Sequence, residues 1–361
     1  MNSLVTGDVP GDQFPFRVTG SERLTDSRVH MHLNHGLRQR IGATKRLLRI
    51  LWNYRVARSD SVGYNPYRLW IEPTAICNLQ CPHCPNKELA RREYLGFMDF
   101  KLFTKVIDEA TQWVHDVNLH HRGESLLHPR FFDMVKYGSR RGIFTKLHTN
   151  ATLLDEITAK RVLDSGLSLI SFSFDGFDPM SYKRHRPPAK FESTLENILR
   201  FLRLKKERKQ RTPITVLEVL DFPGTEEAIR EGKDLEFLHR FDRLPLDRLI
   251  VKRPHNWGGT IPVEADLKDA EFVPCTFPWH SLVVMWDGKI SPCPHDFMGE
   301  IVVGNATKQG LREVFNSPAM VRLRRQMIDR RPDQSLPCFA CDSVRRKALL
   351  GIPMASLRYL R

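Results

Sequence analysis

Seven cysteines constrain this chain more than any other feature, because they fall into two groups that metal chemistry treats differently. Cys77, Cys81 and Cys84 share one loop, CNLQCPHC, whereas Cys275, Cys293, Cys338 and Cys341 lie far downstream. The opening MNSLVTGDVPGDQFPF has no basic start followed by an apolar stretch, so no secretory leader is expected. Apolar runs such as Leu282–Trp286 fall far short of the roughly 20 residues of a membrane span. The expectation is a cytoplasmic protein whose thiols serve as metal ligands or catalytic groups, not as disulfides. Four thiolates close an iron–sulfur cubane and three leave one iron open. An open position is what a catalytic metal site needs. Zinc is the competing metal. It suits the spacing of Cys338-Phe-Ala-Cys341, but the first group has no fourth cysteine before Cys275. His83, next to Cys84, would strain the loop by joining the same tetrahedron.

The first loop is C-x3-C-x2-C with an aromatic residue, His83, just before the last cysteine. It resembles the signature of the radical S-adenosylmethionine (radical SAM) enzymes. The resemblance implies that Cys77, Cys81 and Cys84 hold a [4Fe–4S] cluster whose open iron is chelated by the amino and carboxylate groups of SAM. It also implies that SAM cleavage yields a 5′-deoxyadenosyl radical that takes hydrogen from the substrate. Other positions match one at a time. Arg122-Gly123-Glu124 resembles the GGE that holds the SAM amino group, with Arg122 in place of the first glycine and available to face substrate. Thr149-Asn150-Ala151 resembles a Thr-Asn-Gly turn. Ser173-Phe174-Asp175-Gly176 resembles a Ser-x-Asp-Gly ending, with Ser173 a candidate for the SAM ribose and Asp175 for a helix cap or substrate contact. Arg186 matches an arginine that meets the SAM carboxylate or an anionic substrate; a solvated loop arginine is the alternative. The cofactor-binding candidates implied are thus His83, Gly123, Glu124, Asn150, Ser173 and Arg186.

The fold expectation is α/β. Hydrophobic residues at 41% and charged residues at 27% describe a globular protein, and 361 residues suggest two or three units. Strands are expected at Arg68–Thr74, Asp116–His121, Phe144–His148, Ser168–Phe174, Ile214–Val219 and Arg248–Lys252. Helices are expected at Asp99–Trp113, Arg130–Arg141, Leu154–Ser165, Phe191–Lys206 and Glu226–Leu238. Such alternation implies a parallel sheet with helices outside, which matches the family's partial (β/α)6 TIM-like barrel. In such barrels the chemistry lies at the C-terminal strand ends, where the Cys77–Cys84 loop falls. From Glu271 the pattern changes. Cys275 precedes the strand Leu282–Trp286, Asp287-Gly288 signals a hairpin turn, and the return strand ends at Pro292-Cys293. Helices from Leu311 and over Pro318–Arg330 lead to Cys338 and Cys341. This resembles the short twitch form of the SPASM extension, a small α+β unit, and implies a second, auxiliary [4Fe–4S] cluster on Cys275, Cys293, Cys338 and Cys341. The expected organisation is a lead-in and basic helix over 1–60, the barrel over 61–265, the twitch/SPASM-like unit over 266–345 and a tail over 346–361.

Three plus four cysteines leave no thiol as a hydrogen donor, which weighs against epimerisation. A closed auxiliary cluster offers an electron acceptor, so net dehydrogenation of a small molecule such as a sugar or cyclitol fits best. Peptide or protein modification is the alternative, and a zinc-bound, nucleic-acid-binding protein is the rival from another class. Such an oxidase needs a proton acceptor; candidates at strand ends are Glu218, Lys252, Arg253 and His255. His120, His121, His128 and His148 read as packed or solvated. The resemblance also implies a one-electron donor such as flavodoxin or ferredoxin.

The formal charge is +14, and Leu37–Arg58 carries seven Arg/Lys and no acid. Leu37, Ile41, Leu48, Leu51 and Trp52 can share one helical face. The simplest expectation is that this face packs on the barrel; peripheral contact with an anionic membrane is the second. Nucleic acid is disfavoured because no stacking aromatics accompany the charge. Leu202–Arg211 reads as the exposed basic end of a helix, and residues 1–30 as a flexible lead-in.

Overall fold

The computed structural model describes residues 17–20, 45, 48–49, 52–114, 116–222, 225, 228, 231–262, 271–346, 348–349 and 352–353. The strands are β1 (Arg17–Gly20), β2 (Arg68–Ile71), β3 (Asp116–Asn118), β4 (Phe144–Thr149), β5 (Leu169–Ser173), β6 (Ile214–Leu220) and β7 (Arg248–Lys252). β2 to β7 pair in sequence order and all run parallel. Their connections carry α1 (Asn86–Arg91), α2 (Phe100–Ala110), α3 (Phe131–Arg140), α4 (Glu156–Leu163), α5 (Pro179–His185), α6 (Phe191–Glu207) and α7 (Lys233–His239). The six expected barrel strands are all present. β2 stops at Ile71, short of the expected Thr74, because the chain then meets Pro73, which has no N–H to give a ladder. The first part of the helix expected over Glu226–Leu238 lies largely outside the described residues. α5 was not expected, although its start was readable: Asp178 accepts from the backbone N–H groups of Met180 and Ser181, with Pro179 at the first helical position.

Alternation along each strand gives the sheet two unlike faces. Leu69, Ile71, Val117, Leu119, Leu147, Ile170, Phe172, Leu217, Val219 and Leu249 belong to one large apolar core with the helices. The residues between them point the other way. At the N-terminal end of that inner face, Leu169, Ile214, Val216 and Ile250 form a small apolar plug with Phe144. Arg68, Asp116 and Lys146 form a buried charged group beside β2 to β4, with Arg68 Nε 3.1 Å and Lys146 Nζ 3.4 Å from Asp116. Toward the C-terminal strand ends the inner positions become His120, His148, Ser171, Glu218 and Lys252.

The C-terminal region extends this sheet and also forms short two-stranded pairs of its own. β8 (Glu271–Phe272) pairs with β12 (Arg345–Arg346). β9 (Ser281–Val284) runs parallel to β2 over Arg68↔Ser281 to Ile71↔Val284. β10 (Lys289–Ser291) and β11 (Gly304–Asn305) follow, antiparallel. The expected Asp287-Gly288 turn is there: Gly288 has φ +87°, and its N–H donates to the Met285 carbonyl at 2.9 Å. α8 (Leu311–Phe315), α9 (Pro318–Ile328) and α10 (Pro337–Ala340) complete the region.

Three expectations need correction. Within the lead-in, Arg17–Gly20 is a strand parallel to β7. Within the basic run at the end of α6, Lys205 is 2% exposed and its ammonium lies 2.9 Å from Asp247. Most of Leu37–Arg58 lies outside the described residues. Of the apolar face proposed there, Leu37, Ile41 and Leu51 cannot be described, whereas Leu48 and Trp52 are exposed and do not pack on the barrel.

Candidate active site

The chain leaves β2 into a loop held by its own polar groups. Thr74 Oγ1 donates to the Gly96 carbonyl at 2.7 Å and accepts from the Ile76 N–H at 3.0 Å. Asn86 Nδ2 donates to the carbonyls of Ala75 and Arg122. Cys77, Cys81 and Cys84 hang from this frame, with the Cys84 N–H donating to the Cys81 carbonyl at 3.1 Å. Burial above all, with the neighbouring cysteine sulfurs adding to it, pushes the Cys77 thiol up to about 11 and Cys84 up to about 12. Burial raises Cys81 as well, opposed by Arg186. Three soft donors that resist ionisation unaided suit a cationic cluster, which supplies the compensating charge. Two buried nitrogens beside them, His83 Nδ1 and Arg186 Nε, have no hydrogen-bond partner among the described residues.

The loop after β3 reaches the same place. A Cβ on Gly123 would lie 2.5 Å from the carbonyl oxygens of both Thr74 and Ile76, so only glycine permits this approach. Glu124 is buried, and its carboxylate accepts from Thr149 Oγ1 at 3.0 Å and from the N–H groups of Asn150 at 2.8 Å and Leu126 at 3.1 Å. It ties the glycine loop to the Thr149–Ala151 turn. Asn150 Nδ2 donates to Asn78 Oδ1, inside the cysteine loop, at 2.9 Å. Ser173 is half-buried at the end of β5, opposite Glu218 in the ladder.

Arg122 overturns its expected role. It is buried and clamps Glu72 with Nε at 2.5 Å and Nη2 at 2.7 Å, so it does not face substrate. Burial alone would raise Glu72, but Arg122 and His121 hold it down at about 2, against an ordinary 4.5. The pair also joins the two regions. Glu72 accepts from the Trp286 N–H at 3.3 Å, and His121 Nε2 lies 3.0 Å from the Pro294 carbonyl. Asp175 is likewise neither cap nor substrate contact. Its carboxylate lies 2.5 Å from Arg186 and 3.4 Å from His83 Nε2, and it accepts from the Leu220 N–H. Against the push of burial, Arg186 holds it at about 2. Arg186, 4.0 Å from Cys81 Sγ, is therefore not solvated.

Among the proton-acceptor candidates, Glu218 and Lys252 come together at 2.6 Å, with Ser171 Oγ at 3.4 Å and His148 Nδ1 at 3.6 Å from the same carboxylate oxygen. The His148 and His120 rings lie 4.1 Å apart. Arg253 is exposed. His255 lies elsewhere, its ring 4.0 Å from that of His295. His128 is packed, with Nε2 3.0 Å from the Met98 carbonyl.

The four downstream cysteines form one group. Burial raises Cys293 strongly, and Cys275, Cys341 and Cys338 each raise it further. Burial and Cys275 also raise Cys338, and they push Cys341 up to about 11. Among the described residues no three or more His, Cys, Asp or Glu side chains are set around a single metal ion; a cubane asks for sulfurs spread around its corners instead. Trp257, unremarked in the sequence, links the two sets. Its indole N–H donates to the His83 carbonyl at 3.0 Å, while the loop bearing it is bonded to the Cys338–Asp342 segment by Asn256. Residues 257–259 all have positive φ, and a Cβ on Gly259 would lie 2.6 Å from that of Ala340.

The family model for the radical SAM superfamily matches residues 71–230, and that for an iron–sulfur cluster-binding domain, SPASM, matches residues 275–342. The chain belongs to the radical SAM superfamily and carries a SPASM domain. It is therefore an enzyme that uses SAM and a [4Fe–4S] cluster, with further iron–sulfur chemistry in its C-terminal region. The zinc-bound reading is left without support. Among its relatives, the tungsten-containing aldehyde ferredoxin oxidoreductase cofactor-modifying protein of Pyrococcus furiosus is 26% identical over 253 residues, 62% of this chain and 70% of that one. The PqqA peptide cyclase of Bradyrhizobium diazoefficiens is 30% identical over 121 residues, 31% of this chain and 30% of that one. Among solved structures, Streptococcus suis SuiB bound to its precursor peptide SuiA has a TM-score of 0.60 at 18% identity, covering 86% of this chain and 76% of that one. At that identity the likeness shows the fold alone.

Proposed function

We propose that this enzyme removes two electrons and two hydrogens from a polar small molecule such as a sugar or cyclitol, with Cys77, Cys81 and Cys84 holding the SAM-binding cluster and Cys275, Cys293, Cys338 and Cys341 an auxiliary one. The observation that carries the reading is the gathering of all four downstream cysteines into one group; with both clusters bound, no free thiol is left as a hydrogen donor. When bound, SAM and its cluster supply a hydrogen-abstracting radical, and the auxiliary cluster supplies a one-electron acceptor. The chain's own residues do the rest. Arg186 and Asp175 fix His83 beside the cysteines. Glu124 fixes the Gly123 loop against the Thr149–Ala151 turn. Glu218, paired with Lys252 at 2.6 Å, takes the substrate proton, with Ser171 and His148 orienting it. The apolar plug of Leu169, Ile214, Val216 and Ile250 keeps water from the base of the inner face. Peptide modification is the second reading, favoured by the peptide cyclase among the relatives. The test is 5′-deoxyadenosine release above the substrate-free rate, with sugars and cyclitols in one panel and short peptides in another. Stimulation by the first panel, with a carbonyl product, supports the leading reading; stimulation by peptides alone replaces it.

A further inference from the structure

We propose that the N-terminal basic helix is a docking surface for an anionic lipid bilayer. This does not depend on what the cysteines bind.

The helix is held to the protein by its polar and aromatic side. Arg49 Nη2 donates to the Gly63 carbonyl at 3.1 Å, and its guanidinium lies 5.1 Å from the Tyr64 ring centroid. Tyr54 donates to the Pro274 carbonyl at 2.6 Å, and its ring meets Trp279 edge-on at 5.3 Å. Arg58 Nη2 donates to the Ile328 carbonyl at 2.7 Å. Three large apolar side chains are left outside among the exposed Lys45, Arg49 and Arg58: Leu48, Trp52 and Val56 are each 60% exposed. They are four residues apart, the spacing that keeps side chains on one side of a helix. The usual surface helix buries its apolar stripe; here the stripe is exposed together with the basic residues. The other large exposed apolar side chains among the described residues, such as Phe97, Ile157 and Met180, are scattered along the sequence.

Charge identifies the occupant. Seven Lys/Arg and no acid lie within Leu37–Arg58, so the segment that carries the apolar stripe bears charge of one sign. A cleft beside the helix is lined by Tyr54, Arg58, Pro274, Ile328 and Arg330. It places two guanidinium groups where a phosphate headgroup could enter. A tryptophan between aliphatic residues on a basic helix matches the headgroup boundary of a membrane, where the ring and the aliphatic side chains leave water and the cations meet anionic lipid.

The test is flotation of the full chain with vesicles of phosphatidylcholine alone or mixed with phosphatidylglycerol. The expected result is binding to the mixed vesicles only, weakening as salt screens the charges. The variant L48S/W52S/V56S should lose at least about tenfold in partitioning while keeping its circular dichroism, since the three side chains are already exposed. Arg330→Glu should reduce the preference for phosphatidylglycerol. Failure of the wild type to float with the mixed vesicles, or unchanged flotation of the triple variant, overturns the proposal. So does a wild-type dimer in sedimentation that the triple variant abolishes, because the occupant would then be a second copy.

Discussion

At the residue scale, the site rests on a few buried charges that compensate one another. Arg122→Met leaves the Glu72 carboxylate buried and unpaired, and the expected loss is about 3–5 kcal/mol of stability, read from the denaturant midpoint. The same pair sets a pH dependence. Glu72 is held at about 2 in the folded chain, against 4.5, so its contribution is complete above about pH 4.5. It is lost as pH falls toward about 2. That part of the acid limb should disappear in the Arg122→Met variant. Trp257→Phe keeps an aromatic ring, smaller than the indole, but removes the hydrogen bond to the His83 carbonyl. SAM affinity should weaken about fivefold, the worth of one neutral hydrogen bond, with iron content unchanged. Equal SAM affinity in a titration of wild type and variant would show that the bond does not position the loop.

At the scale of elements, glycine contacts decide which loops can meet. Gly123→Ala would drive a methyl into two backbone carbonyls of the cysteine loop, and a backbone cannot give way as a side chain can. Iron bound per chain should fall by about four, one cubane, without global unfolding. Much of this scale was legible in the sequence. The six barrel strands follow from short β-rich runs between helical repeats, and β7 has the expected bounds, Arg248–Lys252. Glycine and aspartate announced the hairpin between β9 and β10. What could not be read is pairing across distance. Glu72 and Arg122 stand fifty positions apart, and nothing local marks either as the other's partner, so the arginine replacing a family glycine looked like a substrate contact. Asp175 looked like a cap because Asp178, three residues later, was not recognised as the true one. Trp257 left no signal, because its significance lies in a carbonyl that every residue possesses.

At the scale of the whole molecule, the two cysteine sets should be separable in composition. Wild-type chain reconstituted without oxygen should bind about eight irons, two cubanes' worth. Cys341→Ala should bind fewer and still cleave SAM, whereas Cys77→Ala should not cleave it. SAM cleavage by the Cys77→Ala variant would remove that residue from the first cluster. The chain should not divide where its composition changes. Ending it after residue 262 would bare the edge of β2, whose four residues are all buried, and an uncovered edge of that kind invites aggregation. Size-exclusion chromatography of the truncated chain should show large species instead of a compact barrel.

The parallel pairing of β9 with β2 also governs how this enzyme can move. Two halves joined by a linker can part like jaws to admit a bulky guest. Here the strand that opens into the first cysteine loop is laced over four rungs to the strand behind the second set, and separating them would mean unzipping the middle of a sheet. In the proposed oxidation, the span between the two cysteine sets is thus fixed in the folding of the chain, not adjusted in each turnover. Selectivity for guests falls to the loops at the open strand ends, which can change without disturbing that span.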